Sequence, residues 1–164
     1  AHDHGGRIDG NGGTDNITLG AGKDTVVLGN GWELPKTAGE DVTKMVTVAS
    51  FTSGTDKIDL QGVLAGYTKG SDIINLSKAA SIENGKVYVS AVSGKAAIDD
   101  NLFTGLAKGE SAIVAMTEGT GKTTTIYYIE GADGDGAISK TNDIVVKLGT
   151  ITDIAVALDD FNFA

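Results

Sequence analysis

The residues best equipped to do chemistry lie at the start of the 164-residue chain, where acids, glycines and apolar residues recur in a common phase. Placing Asp15 above Asp24 also aligns Gly13 with Gly22, Ile17 with Val26, Thr18 with Val27 and Leu19 with Leu28, and one period earlier Ile8 joins the apolar column. The interval is nine residues. One column supplies core residues and another supplies carboxylates. Gly/Asn/Asp segments can be plain turns, but an ordinary loop need not keep three columns in phase. Grouped carboxylates joined by backbone oxygens suit a hard cation such as Ca²⁺.

Other chemistries find little support. The only histidines, His2 and His4, could grip a transition metal, although a terminal pair is more often unstructured. With no further histidine, neither a His-Glu-x-x-His motif nor a serine or cysteine triad can be assembled. Gly119-Thr120-Gly121-Lys122-Thr123 superficially suggests a phosphate loop, but Met116 stands where the Walker pattern needs glycine, and a Thr-rich strand follows where it needs a helix. Nothing specifies catalysis by paired carboxylates. The expectation is a protein that is not an enzyme in its own right.

Read as nonapeptides, Gly10 to Thr18 is GNGGTDNIT, Leu19 to Val27 is LGAGKDTVV, and Leu28 begins a third copy, LGNGWE. These resemble the RTX repeat, whose glycines allow tight turns and whose apolar position lies in a short strand of a parallel, Ca²⁺-binding β-roll. The resemblance implies that two nonapeptides make one turn of the roll. It implies Asp15 and Asp24 as carboxylate ligands, with carbonyls from Gly13, Gly22, Gly29 and Gly31, and the loop of Gly29, Asn30 and Gly31 facing that of Asp15. The pattern then degrades: Glu33 stands at the acidic position of the third copy, Gly6 replaces the expected acid before Gly10, and Gly39-Glu40-Asp41 restores a Gly-x-Asp one residue early. One or two ions are expected, with Asp41 a candidate ligand and Asp3 and Asp9 contributing at the edge.

Phe51-Thr52-Ser53-Gly54-Thr55-Asp56-Lys57-Ile58-Asp59-Leu60 is similar to the segment that follows the roll in serralysin-type proteases and some surface-layer proteins. Asp56 and Asp59 are either turn and cap residues or ligands of a further calcium. In Glu130-Gly131-Ala132-Asp133-Gly134-Asp135-Gly136, half of a calcium loop is present but the later bidentate glutamate is not, so a hairpin tip is expected. The alternative there is a surface calcium held by Asp133, Asp135, Asn142 or Asp143. The ending Leu158-Asp159-Asp160-Phe161-Asn162-Phe163-Ala164 looks like the uncleaved C-terminal signal of type I secreted proteins, or else a frayed tail.

The elements that must position these residues are mostly strands. Short apolar runs predict strands at Met45 to Phe51, Lys57 to Leu60, Asp72 to Leu76, Val87 to Ser90, Ala112 to Thr117, Thr123 to Glu130 and Asp143 to Leu148. Asn84-Gly85 suits a hairpin turn, and Ala97 to Ala107, with Leu102, Phe103 and Leu106 on one face, is the one helix candidate. The expected fold is all-β: a short N-terminal parallel β-roll over residues 1–44, leading past Pro35 into a β-rich, sandwich-like body over residues 45–164 that ends in the secretion signal.

Composition agrees with that class and narrows function. Aromatics make up 5% of residues while Gly numbers 24, so the core must rest on Val, Ile, Leu and Ala between tight turns. The net charge of −9 repels polyanions, which argues against nucleic acid and anionic membranes. No cysteine is available for a disulfide or a thiolate metal site, and no run of about 18 apolar residues suggests membrane insertion. The opening in mid-repeat reads as a fragment of a longer chain. The expectation is a secreted, extracellular or cell-surface domain whose partners are calcium ions, the type I secretion machinery and copies of itself or cell-surface glycan. It would fold, assemble or anchor in a calcium-dependent way within a surface-layer or adhesin-like protein. The alternative is the accessory domain of a secreted hydrolase such as a serralysin-like metalloprotease.

Overall fold

The structure, a computed structural model, describes residues 5–10, 14–43, 45–73, 80–90, 102–118 and 123–163. Its strands are β1 (Arg7–Asp9), β2 (Asn16–Thr18), β3 (Thr25–Leu28), β4 (Gly39–Asp41), β5 (Val46–Ala49), β6 (Lys57–Leu60), β7 (Thr68–Ile73), β8 (Ala80–Ser81), β9 (Lys86–Ser90), β10 (Phe103–Thr104), β11 (Ser111–Thr117), β12 (Thr123–Glu130), β13 (Ile144–Thr152) and β14 (Phe161–Asn162). Helical structure among the described residues is confined to short 3-10 turns at Gly62–Leu64 and Leu158–Asp160. The fold is all-β.

The nine-residue period becomes an alternation between two sheets. β1 and β3 lie side by side in a four-stranded parallel sheet ordered β1-β3-β6-β14, whereas β2 is the edge of the large sheet, ordered β2-β5-β13-β12-β11-β9-β7. Ile8 pairs with Val26, eighteen residues on, so two nonapeptides complete one turn. The next rung comes from the segment after the repeats: Val26 pairs with Ile58 and Leu28 with Leu60. Strands from both parts of the chain therefore share both sheets, because β2 pairs with β5, and β4 with β13.

The large sheet is covered on both faces. Residues that alternate along its strands divide between two clusters: Val87, Ile113, Ala115, Ile126, Tyr128 and Val146 face the four-stranded sheet side, with Val26, Leu28, Ile58 and Trp32. Their neighbours Tyr88, Val114, Met116, Tyr127, Ile129 and Val145 pack with Leu102, Phe103 and Leu106 on the other face. Burial of both faces explains why β11 and β12 read as nearly unbroken apolar runs instead of alternating ones.

Three sequence expectations require correction. Residues 102–107, the described part of the candidate helix, are not helical: Phe103 and Thr104 form β10, which pairs in parallel with β8. The apolar spacing that suggested a helix face is satisfied by Leu102, Phe103 and Leu106 covering the second core. Asn84-Gly85 is a turn, with φ of +75° at Gly85, but it closes no hairpin, since β8 pairs with β10 while β9 pairs with β11 and β7. The strand expected from Asp72 to Leu76 begins four residues earlier, at Thr68, and residues 74–76 lie outside the described residues. The other predicted strands form within a few residues of their expected limits, and β12 and β13 make the antiparallel pair whose connection spans residues 131–143.

Candidate functional site

Several of the acids that immediately precede a strand share one job. Asp24, Asp56 and Asp143 are at most 1% exposed, and each carboxylate accepts the backbone N–H of the residue four positions back: Gly20 at 3.2 Å, Thr52 at 2.7 Å and Ser139 at 2.9 Å. The other oxygen of each reaches a further backbone donor. Gly6 N donates to Asp24 at 2.8 Å, Asp24 N to Asp56 at 2.9 Å, and Ala132 N to Asp143 at 2.7 Å. Asp160, before β14, accepts Ala157 N at 2.8 Å, Gly54 N at 2.7 Å and the Ser53 hydroxyl at 2.6 Å. A short acceptor-only side chain at the end of a turn satisfies amides that the turn would otherwise bury unpaired.

In the four-stranded sheet these residues form a ladder. Gly6, Asp24, Asp56 and Asp160 stand one residue ahead of β1, β3, β6 and β14, and the first three are joined by the bonds just described. Gly6, which departs from the repeat pattern, donates its amide at the edge rung.

Asp15 differs. Its Oδ2 is buried and has no hydrogen-bond partner among the described residues, and the Gly10 backbone approaches the carboxylate so closely that no Cβ would fit there. Asp9 accepts a 2.6 Å bond from the Asn30 side chain, so the third-copy loop meets the Asp9 end of β1. Gly29 and Gly31 have φ of +93° and +73°, and a Cβ on Gly29 would overlap Leu64 and the Gln61 carbonyl. Gly22 is half-buried in the turn before Asp24, and Gly13 lies outside the described residues, as do Asp3, His2 and His4. Asp41 accepts the amide and hydroxyl of Thr43 at 2.8 and 2.6 Å. Asp59 pairs with Arg7 at 2.5 Å. The described geometry thus joins Asp24 to Asp56 and gives both a turn-closing role.

A second acidic group occupies the β12–β13 connection. Oxygens of Asp133, Asp135 and Asp143 lie within 4.8 Å of one another, two of the residues exposed and Asp143 buried. The Ala137 amide favours the ionised form of Asp135, but desolvation and the neighbouring Asp133 and Asp143 outweigh it and raise its pKa. A cation held there would compete with a proton. The loop is also held by the chain itself, since Asp133 Oδ1 accepts the Asp135 amide at 3.1 Å and Asp135 Oδ1 accepts the Ala137 amide at 2.9 Å.

Sequence reading did not find the cavity of about 660 Å³ beside the roll, lined by Trp32, Glu33, Leu34, Pro35, Lys36, Val63, Tyr128 and Glu130. Gln61 N donates to the Leu28 carbonyl at 2.8 Å, so the chain leaving β3 and the chain leaving β6 run as neighbours and bring Trp32 alongside Val63. β12 supplies Tyr128, whose hydroxyl donates to Glu130 at 2.6 Å, and nearby the Tyr67 and Ser111 hydroxyls are 2.8 Å apart. Burial, together with the Glu130 carboxylate, pushes the Tyr128 phenol well above its usual range. The sequence offered one signal for this place, Trp32 and Pro35 interrupting the third nonapeptide.

Among the described residues, no helix is long and apolar enough to cross a membrane. Compared with known proteins, the chain matches no family model and no curated sequence.

Proposed function

We propose that this chain is a calcium-binding domain whose folding depends on the ion, and that it forms the C-terminal, assembling or anchoring part of a type I secreted surface-layer or adhesin-like protein. The observation that carries the calcium reading is the buried Oδ2 of Asp15, which has no hydrogen-bond partner among the described residues. A carboxylate oxygen removed from water without a donor is costly, and a divalent cation is a natural partner for it. The Asp15 column recurs along the roll, and the chain as a whole carries a charge of −9. The residues fit the ion unevenly: Asp15 has an oxygen free for it, while Asp24 and Asp56 already serve backbone amides. Asp133, Asp135 and Asp143 offer a second candidate oxygen set.

Where calcium is scarce, uncompensated carboxylates oppose the roll, and three-residue strands recover little of their ordering entropy. Outside the cell, calcium near the Kd of about 10⁻⁴ to 10⁻³ M typical of extracellular modules adds binding free energy to folding. Calorimetry and circular dichroism melts with calcium and with chelator test the reading. The expected result is saturable binding and a higher Tm in calcium, with Asp15→Asn losing most of the difference while melting like the parent in chelator. Identical melts in calcium and chelator would overturn it. Calcium-dependent growth in light scattering is the outcome expected of the assembly role.

A further inference from the structure

The cavity beside the roll has a chemistry that calcium binding leaves unused. The chain contains one Trp and four Tyr, and this cavity takes Trp32 and Tyr128 into its wall, each at most 5% exposed. Buried to that extent, the rings back the wall, and open apolar surface is supplied by half-buried Leu34 and Pro35 and by exposed Val63. Glu130, half-buried, and Glu33 and Lys36, both exposed, line the same cavity. The volume of about 660 Å³ falls within the range of small-molecule sites, in which a mainly apolar lining carries a few polar groups that fix orientation.

The occupant can be narrowed by chemistry. Two carboxylates against one ammonium, on a chain of charge −9, disfavour an anion. A purely apolar guest would bury Glu130 and the Tyr128 hydroxyl against hydrocarbon. A neutral polyol satisfies both demands, because its C–H faces pack on Leu34, Pro35 and Val63 and its hydroxyls donate to carboxylates and accept from Lys36. We infer that the cavity formed by Trp32, Tyr128, Glu33, Lys36 and Glu130 binds a neutral saccharide. The inference rests on the anchoring part of the proposed function, since it gives a surface glycan a place to dock, and not on the calcium part.

The single tryptophan makes its fluorescence a reporter of this one cavity. Glucose, galactose, mannose, rhamnose and N-acetylglucosamine are titrated into the full chain in calcium and again in chelator, with saturation-transfer NMR alongside. At least one sugar should change Trp32 emission saturably and show transfer, and Glu130→Gln and Lys36→Ala should each weaken it about tenfold or more, the size expected for losing a hydrogen bond to a charged group. Lys69→Ala, which is not among the lining residues, should bind as the parent does. Both substituted side chains lie at the cavity wall or rim, and circular dichroism establishes that each variant is folded. The proposal is overturned if no sugar gives a saturable signal with folded protein, or if Glu130→Gln and Lys36→Ala bind as the parent does. Sugar binding without a calcium effect on melting would leave this inference standing and remove the calcium reading, and the reverse pattern would do the opposite.

Discussion

Asp56 shows what a single carboxylate contributes to this architecture. It is fully buried and accepts amides from Thr52 and from Asp24 on the adjoining rung. Asp56→Ala should therefore cost more than about 2 kcal/mol in urea unfolding, because a hydrogen bond to a charged group is worth about 1.5–3 kcal/mol and two amides lose an acceptor. Asp59→Ala offers the contrast. Its Arg7 partner is half-exposed, and breaking that pair should cost less than about 1 kcal/mol. Equal losses for the two variants would contradict the ladder. The same comparison shows how far residue types can be read from sequence. Asp15-Asn16-Ile17-Thr18-Leu19, Asp24-Thr25-Val26-Val27-Leu28 and Asp56-Lys57-Ile58-Asp59-Leu60 share Asp-x-apolar-x-Leu, and the last two copies prove to be adjacent rungs. The column of acids was visible, whereas their partners were not. An amide donor has no side-chain signature, so the sharing of Asp24 and Asp56 with backbone N–H groups had to be seen in space.

At the scale of elements, the last described residues are tied in by contacts of unequal strength. β14 pairs with β6, placing Phe161 beside Ile58, and Asp160 just before it accepts from Ser53, Gly54 and Ala157. Lys69 on β7 also holds Asp159 at 2.6 Å, a pair whose hydrogen bond and charge lower the Asp159 pKa, yet both side chains are exposed. Asp160→Ala should lower Tm by about 4–8 °C, the equivalent of about 2 kcal/mol for a chain of this size, and should speed amide exchange at Phe161. Lys69→Ala should leave Tm nearly unchanged. A tail that frayed independently of Asp160 would show neither effect. Short strands such as β8 and β10 were hidden from sequence for a related reason: two residues carry too little periodicity to reveal a strand, and only pairing across the fold defines one. β12 was readable because its eight residues form a long, β-branched and aromatic run.

For the whole molecule, the large sheet is the shared wall of two cores, and this has a direct mutational consequence. Ile126 and Ile129 lie on one strand but belong to opposite clusters, both without exposure. Ile126→Ala and Ile129→Ala should each cost about 2–5 kcal/mol in urea or thermal unfolding. A sheet with one solvated face would leave one of them nearly neutral.

The apolar column between glycine turns was enough to predict β-structure, while the eighteen-residue rung that sets Val26 beside Ile8 was implied only by the resemblance of the nonapeptides to a known repeat. Local patterns hold no information about which distant segment will be adjacent. The stacking of Lys57–Leu60 on Thr25–Leu28, the burial of both faces of the large sheet and the meeting of Trp32 with Tyr128 all depended on long-range packing, where the gain from burying apolar surface selected among pairings that the sequence alone leaves equivalent.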